Sequence, residues 1–298
     1  MMRALASEDL YRVEKKDLFA SGHRACGGCG QALAARLVAD AAGENTIACL
    51  ATGCLEIFST PYPDPTWRIP FVHSLFENVA AVASGVEAAY RILKKGPVNI
   101  IAMAGDGGTA DIGLQSLSGM LERGHNALYV CYDNEAYMNT GVQRSSFTPL
   151  GARTTTTPTG NTTRKKNLPQ IAADHGIPYV ATATPDDFRD LQRKVKTALA
   201  VEGPKYLHIL APCPLGWGHP GELTIQMCRL AKDTGLFPIF EIIGGQVTNV
   251  RKIPVKLPVE EYLKVQARFR HLFPKSGPAP EVAEIQEIAN LNIERFNL

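Results

Sequence analysis

Apolar residues along this 298-residue chain gather in short unbroken runs, separated by longer stretches with helical spacing. The runs are Thr46–Ala51, Val98–Ala104, Ala127–Tyr132, Ile177–Ala183 and Tyr206–Leu210. Their length and lack of polar alternation predict strands buried on both faces. Helical spacing covers 33–42, 77–93, 114–122, 185–201, 259–272 and 281–296, with Gly43, Gly96 and Gly124 just past three of the ends. Strand, helix and strand between Val98 and Tyr132 make a βαβ unit, so the predicted fold is α/β, a parallel sheet flanked by helices. Residues 59–70 hold four prolines and form an ordered loop. Residues 140–167, rich in Thr, Pro, Gly and Asn, read as a long functional or partner-facing loop. The pattern divides into a charged arm (1–21), a ligand-binding α/β domain (22–213) and a C-terminal, partner-contacting region (214–298), with no internal repeat.

Composition narrows the class without naming a function. Hydrophobic residues make up 45% and charged residues 20%, which excludes a disordered chain. Thirty-one basic against 29 acidic residues leave a net charge of +2, too little for an electrostatic nucleic-acid binder. No apolar window is long enough to span a membrane. Glu8 and Asp9 fall where a secretory signal would be apolar, so the expected location is the cytosol. There the seven cysteines are not expected to form disulfides.

The run Val98–Ala104 leads directly into Gly105-Asp106-Gly107-Gly108. A glycine turn that opens a helix lets backbone approach a ligand and aims N–H groups at phosphate. One carboxylate in it can hold a Mg²⁺ bridging a diphosphate. The next run ends at Asp133-Asn134, about 26 residues past Gly107, and neighbouring parallel strands end side by side at the ligand-binding edge. Asp106 and Asn134 can thus address one ion, with a carbonyl just beyond Asn134 as a further ligand. The plain alternative is a turn whose Asp106 caps a helix. A dinucleotide site fits less well, because the Gly-x-Gly-x-x-Gly spacing is missing. Gly-Asp-Gly followed at this distance by Asn resembles the motif for thiamine diphosphate and Mg²⁺.

Cys26 and Cys29 form a Cys-x-x-Cys among glycines, and Cys54 and Cys213 each follow a strand. Four thiolates gathered at a sheet edge suit a [4Fe–4S] cluster or a structural zinc, and Cys-x-x-Cys alone also suits a redox pair. Cys49 and Cys131 lie inside apolar strands and read as core thiols. Cys228, in a helical stretch, is the rival to Cys213 as fourth ligand.

Together these stretches resemble the β subunit of the pyruvate:ferredoxin oxidoreductase family. The resemblance is carried by residues 22–30, 51–56, 61–63, 76–78, 105–111, 132–141, 212–214 and 258–263, and it spans roughly residues 20 to 273. It implies a thiamine diphosphate-binding fold with a C-terminal extension. It also implies a [4Fe–4S] cluster on Cys26, Cys29, Cys54 and Cys213, and Mg²⁺ on Asp106, Asn134 and the carbonyl of Ala136. Thr52, Gly53, Cys54, Leu55, Gly107, Gly108, Met138 and Asn139 match stretches lining thiamine diphosphate. The implied activity is oxidative decarboxylation of a 2-oxo acid, pyruvate foremost, to an acyl-coenzyme A, with electrons passed to ferredoxin. Phenylglyoxylate, 2-oxoglutarate, a branched-chain oxo acid or oxalate are the alternative substrates. The competing classes are a non-redox thiamine enzyme with structural zinc and a non-catalytic subunit.

The resemblance places the cofactor-activating glutamate on a partner α subunit, and implies γ- and δ-type subunits and a ferredoxin or ferredoxin-like subunit. Glu56, Glu77 and Glu135 are the local candidates for that acid, but none lies in a marking motif. His23 lies beside the first cysteine loop. His73 reads as a cofactor contact or a packed loop histidine. Arg144 suits a diphosphate, coenzyme A or a partner. Lys165-Lys166 reads as a solvated face. The first 20 residues and the tail after Phe273 look longer than the family's core pattern.

Overall fold

A computed structural model describes residues 7–298. Its centre is one eight-stranded sheet: β1 Thr46–Ala51, β2 Phe71–Ser74, β3 Asn99–Gly105, β4 Leu128–Asp133, β5 Tyr179–Ala183, β6 Lys205–Leu210, β7 Glu241–Ile243 and β8 Gln246–Thr248. The order is β2-β1-β3-β4-β6-β5-β7-β8. The first six strands are parallel, and β7 and β8 add an antiparallel edge. The strands predicted from apolar runs are all present. β2 and β8 carry no such run, because edge strands need not bury both faces, and β7, between β5 and β8, is only three residues long.

Alternate strand residues feed opposite cores. Leu50, Ile101, Met103, Val130, Leu207 and Ile209 pack under α2 (Gly30–Ala42) and α8 (Phe188–Ala200). Cys49, Ala102, Ala104, Tyr129, Cys131 and Tyr206 pack under α4 (Val79–Ile92), α6 (Leu114–Glu122) and α7 (Leu168–Ala173). Cys49 and Cys131 are thus core thiols, as their strands predict. Cys228 is buried in α10 (Thr224–Asp233), on a helix and not on a strand-end loop.

Short helices follow the strand ends: α3 Cys54–Ser59, α5 Asp106–Ala110 and α9 Pro214–Trp217. The described part of the arm, residues 7–21, packs against the fold. It begins with α1 (Ser7–Tyr11), and Phe19 bridges to Trp67 and stacks on it edge-on. A third core joins α10, α11 (Val259–Leu263), a 3₁₀ turn (Ala267–Leu272) and α12 (Pro280–Phe296). The predicted 259–272 helix is therefore broken after Leu263. The sheet does not stop at residue 213, since β7 and β8 come from the C-terminal region. No helix among the described residues is long and apolar enough to cross a membrane.

β1 continues to β2 on one side, while β3 lies on its other side, so the β1–β3 gap is a topological switch point. Ligands of open α/β sheets bind outside the carboxyl ends of strands at such a gap. Thr52-Gly53-Cys54 and Asp106-Gly107-Gly108 emerge there, with Asn134 and Cys213 following β4 and β6.

Candidate functional site

The first centre is built of oxygen. Asp106 is buried at the start of α5. One of its oxygens accepts the Asn134 N–H at 3.0 Å and the other the Ser145 hydroxyl at 2.8 Å. The Asn134 side chain reaches to 2.9 Å from the carbonyl of Ala136 and 3.1 Å from Asp106 Oδ1. With its nitrogen turned inward it donates to both; with its oxygen inward, three oxygens converge. Mg²⁺ bonds of 2.0–2.1 Å at right angles put neighbouring ligand oxygens about 2.9 Å apart, so this spacing fits an octahedral edge. Burial, and then the charge of Asp133, push the Asp106 carboxyl well above the usual range, and its hydrogen bonds offset this only in part. A divalent cation would reverse the preference and favour the carboxylate.

The glycine turn is closely packed. A Cβ on Gly107 would stand 2.1 Å from Tyr137, and one on Gly108 would stand 2.7 Å from the carbonyl of Phe76. Only glycine lets the chain pass beneath these groups. Among the other thiamine-matching residues, Thr52, Gly53 and Met138 are half-buried and Asn139 is exposed. Leu55 turns its side chain into the core, so only its backbone is available to a ligand. His73 is not a free contact: its Nε2 lies 2.9 Å from the Thr52 hydroxyl, which also donates to the carbonyl of Ser74.

The second centre is built of sulfur. Cys26 and Cys29 lie on one loop, Cys54 opens α3, and Cys213 caps α9 by accepting the Gly216 N–H at 3.3 Å. The loops are joined by backbone. Gly30 donates to Pro212 at 3.1 Å, and Gly28, at φ +79°, lies so close to Gly221 that no side chain fits. Burial is the main cause that pushes the Cys29 thiol up to about 11 and the Cys54 thiol to about 12. The other thiols add to this at both, and Cys54 also senses Asp106, so the four thiols and the oxygen centre share one field. No three His, Cys, Asp or Glu side chains among the described residues close on a point as a single metal ion requires. The two centres touch through Met138, whose sulfur occupies the space a Cβ on Gly216 would take, beside Cys213.

Glu135 joins the loop to the C-terminal region. It is buried at φ +70°, a left-handed conformation costing about 1–3 kcal/mol for such a residue. Lys165 donates to its Oε1 at 2.6 Å and Arg268 to its Oε2. Charge-assisted bonds contribute about 1.5–3 kcal/mol each, enough to hold the strained residue. With both oxygens occupied, Glu135 cannot serve as the cofactor-activating acid. Glu56 is buried and accepts from the Thr60 hydroxyl at 2.9 Å.

The Lys165-Lys166 pair is not a solvated face. Lys165 also donates to Asp133 at 2.7 Å, and Lys166 reaches the carbonyl of Ala110. Burial disfavours the Lys165 ammonium, but Asp133 and Glu135 outweigh it and raise its pKa. Lys165 and Lys166 help line a cavity of about 350 Å³ behind the loop, walled by Phe237, Leu263 and Ile288. Arg144 bonds Thr163 at 2.8 Å, and the threonine-rich segment folds back on its own hydroxyls. Ser145, Trp217 and Arg268 are contacts that local sequence does not announce. Each acts through partners far along the chain, and none lies in a glycine or cysteine motif.

Residues 51–209 match the model of the thiamine pyrophosphate enzyme, C-terminal TPP binding domain. Pyruvate synthase subunit PorB of Methanosarcina barkeri is 53% identical over 293 residues, covering 96% of this chain and 99% of that protein. Most of the two ends that look like additions are therefore shared with that relative. Ketoisovalerate oxidoreductase subunit VorB of Pyrococcus abyssi is 46% identical, covering 85% and 86%. A 2-oxoglutarate:ferredoxin oxidoreductase from Magnetococcus marinus, solved with 2-oxoglutarate, coenzyme A and succinyl-CoA bound, shares the fold at a TM-score of 0.57. It is 24% identical and covers 72% of this chain and 69% of its own.

Proposed function

We propose, from the premise that this chain belongs to the thiamine diphosphate-binding pyruvate synthase subunit PorB family, that it is the catalytic β subunit of a 2-oxo acid:ferredoxin oxidoreductase acting on pyruvate. The observation that carries this reading is the meeting of an oxygen centre and a four-thiol centre at the switch point of one sheet. Bound thiamine diphosphate supplies the electron sink through which a 2-oxo acid loses CO₂, and a [4Fe–4S] cluster supplies an acceptor for the released electrons.

In this reading Asp106, Asn134 and the Ala136 carbonyl hold Mg²⁺, with the Asn134 amide turning its oxygen inward. The Gly107-Gly108 backbone, Thr52-Gly53-Cys54-Leu55 and Met138-Asn139 line the cofactor. Cys26, Cys29, Cys54 and Cys213 hold the cluster.

In this reading the activating acid comes from a partner α subunit; the commitment of Glu135 to Lys165 and Arg268, which removes one local candidate, supports it. Exposed Ile57, Leu75, Ile112 and Leu215 all follow carboxyl ends of strands and give a partner chain an apolar surface beside the site. Tyr62 is 95% exposed, on the loop between α3 and β2. Coenzyme A as acyl acceptor, γ- and δ-type subunits and a ferredoxin complete the assignment, with the C-terminal region as a further partner contact. A branched-chain oxo acid is the second reading, supported by the ketoisovalerate relative.

The test is the complex purified anaerobically with its partners, given coenzyme A and a panel of 2-oxo acids, and followed by reduction of a low-potential acceptor. Activity with pyruvate above the other acids is expected. No reduction with any acid, despite bound thiamine diphosphate and a full iron and sulfide content, would overturn the reading.

A further inference from the structure

The geometry points to Arg268 as a positioning residue that locks the oxygen loop (residues 133–138) and the Cys213 turn to each other, fixing their separation and biasing the thiolate centre electrostatically. The inference rests on the function proposed above. Arg268 lies in neither loop and is buried in the 3₁₀ turn Ala267–Leu272. Its guanidinium donates to Gln266 Oε1 at 2.8 Å and to Glu135, and its carbon stands 4.2 Å from the centre of the Trp217 ring. Trp217 closes the circuit: its indole N–H donates to the carbonyl of Asn134 at 2.7 Å, and its backbone N–H to that of Cys213 at 2.9 Å. One cation thus grips the residue after Asn134 and the aromatic ring that ties Asn134 to the cysteine turn.

The surroundings make this grip rigid. Ala267 donates to the carbonyl of Gly218 at 3.1 Å, and Gly218, at φ +69°, has no room for a Cβ against Ala267. The carbonyl of Arg268 accepts from Arg153 at 3.0 Å. Stacked on Trp217, at the far end of the single-turn helix that Cys213 caps, the guanidinium is a buried positive charge beside the cysteine turn. A planar, delocalised cation can stack on an indole and bond a carboxylate at once, and lysine cannot.

Charge and shape therefore separate by substitution. The assembled complex carrying Arg268→Met, Arg268→Lys or Trp217→Phe is compared with wild type. The readouts are Mg²⁺-dependent thiamine diphosphate affinity by calorimetry and reduction potential by anaerobic titration followed by electron paramagnetic resonance. Arg268→Met should shift the potential to more negative values and weaken thiamine diphosphate binding about tenfold or more, the cost of losing an outer-shell partner. Arg268→Lys should restore most of the potential and little of the affinity. Trp217→Phe keeps the stacking face, so it should weaken binding several-fold at near-normal potential.

Wild-type affinity and potential in folded Arg268→Met would overturn the inference, even with a lowered melting temperature. If Arg268→Met fails to fold, unchanged affinity in both Arg268→Lys and Trp217→Phe would overturn it instead. A wild-type complex that binds no thiamine diphosphate or holds no cluster would sink the underlying function, a result distinct from either.

Discussion

The two centres at the sheet edge are held in different ways. In the oxygen centre every key group has a protein partner: Asp106 accepts from Asn134 and Ser145, and the Ser145 oxygen in turn accepts the Phe147 N–H at 3.1 Å. Trp217 fixes the Asn134 carbonyl. In the sulfur centre four thiols come from three loops, and Cys213 accepts the Gly216 N–H at 3.3 Å. The first is a cradle already held together by its own hydrogen bonds. The second is a set of buried, protonated thiols that, under the proposed function, would gain its cohesion on binding a cluster. Loss of one ligand should therefore remove an ion from the first and dismantle the second.

The largest expected effect is Cys29→Ser in the assembled complex. Iron and acid-labile sulfide should fall together, and acceptor reduction should be abolished, while thiamine diphosphate still binds. Cys29 is chosen over Cys54 because Cys54 also lies in the cofactor-matching stretch. Zinc in place of iron in the wild-type protein would break this half of the comparison.

Asp106→Asn tests the other half. Thiamine diphosphate affinity should fall at least about a hundredfold, beyond what an outer-shell loss costs, with iron content unchanged. The cation-free fold should be no less stable, since a buried carboxyl facing Asp133 is replaced by a neutral isostere. Calorimetric titration and thermal unfolding without Mg²⁺ read these separately. A marked loss of cation-free stability would show that Asp106 is structural.

Ser145→Ala gives a smaller effect on the same centre. It removes the 2.8 Å hydrogen bond to Asp106 and leaves the ligands in place. An outer-shell loss costs about tenfold or more in cation affinity, and iron content should not move. Equal affinity in variant and wild type would mean that the cradle is not preorganised by its hydrogen bonds.

How much of this was legible follows from the same contrast. Unbroken apolar runs locate the strands that carry Asp106, Asn134, Cys54 and Cys213, because a strand buried on both faces has no polar positions. The glycine turn is legible because no side chain fits beneath Phe76 and Tyr137. Lys165 was misread: adjacent lysines look like a solvated face, and only the fold brings Asp133 and Glu135 against one of them. Ser145, Trp217 and Arg268 stayed hidden for a similar reason. Arg268 meets Glu135 across 133 positions of chain, a pairing that no local pattern encodes.

The smallest expected effect isolates the sulfur centre without its cluster. Burial holds the Cys29 thiol at about 11 and the Cys54 thiol at about 12, above an ordinary cysteine's value of about 8.5. Between roughly pH 8.5 and 10 the unfolded chain releases thiol protons that the folded chain keeps. Stability from these groups is therefore complete below about 8.5 and is lost as pH rises from there toward the folded values of about 11 and 12, with part of the loss already present at pH 10. Lys205, held at about 8 by burial, acts the other way: it is neutral when folded while its unfolded counterpart is still charged. The comparison is accordingly between cluster-free wild type and the Cys29→Ser/Cys54→Ser variant, both unfolded in urea at pH 7.5 and pH 10. The wild type should lose more stability than the variant over this interval, because Lys205 is common to both. Equal changes would mean that the cluster-free thiols are solvated, and that the sulfur centre is an open rim and not a buried set.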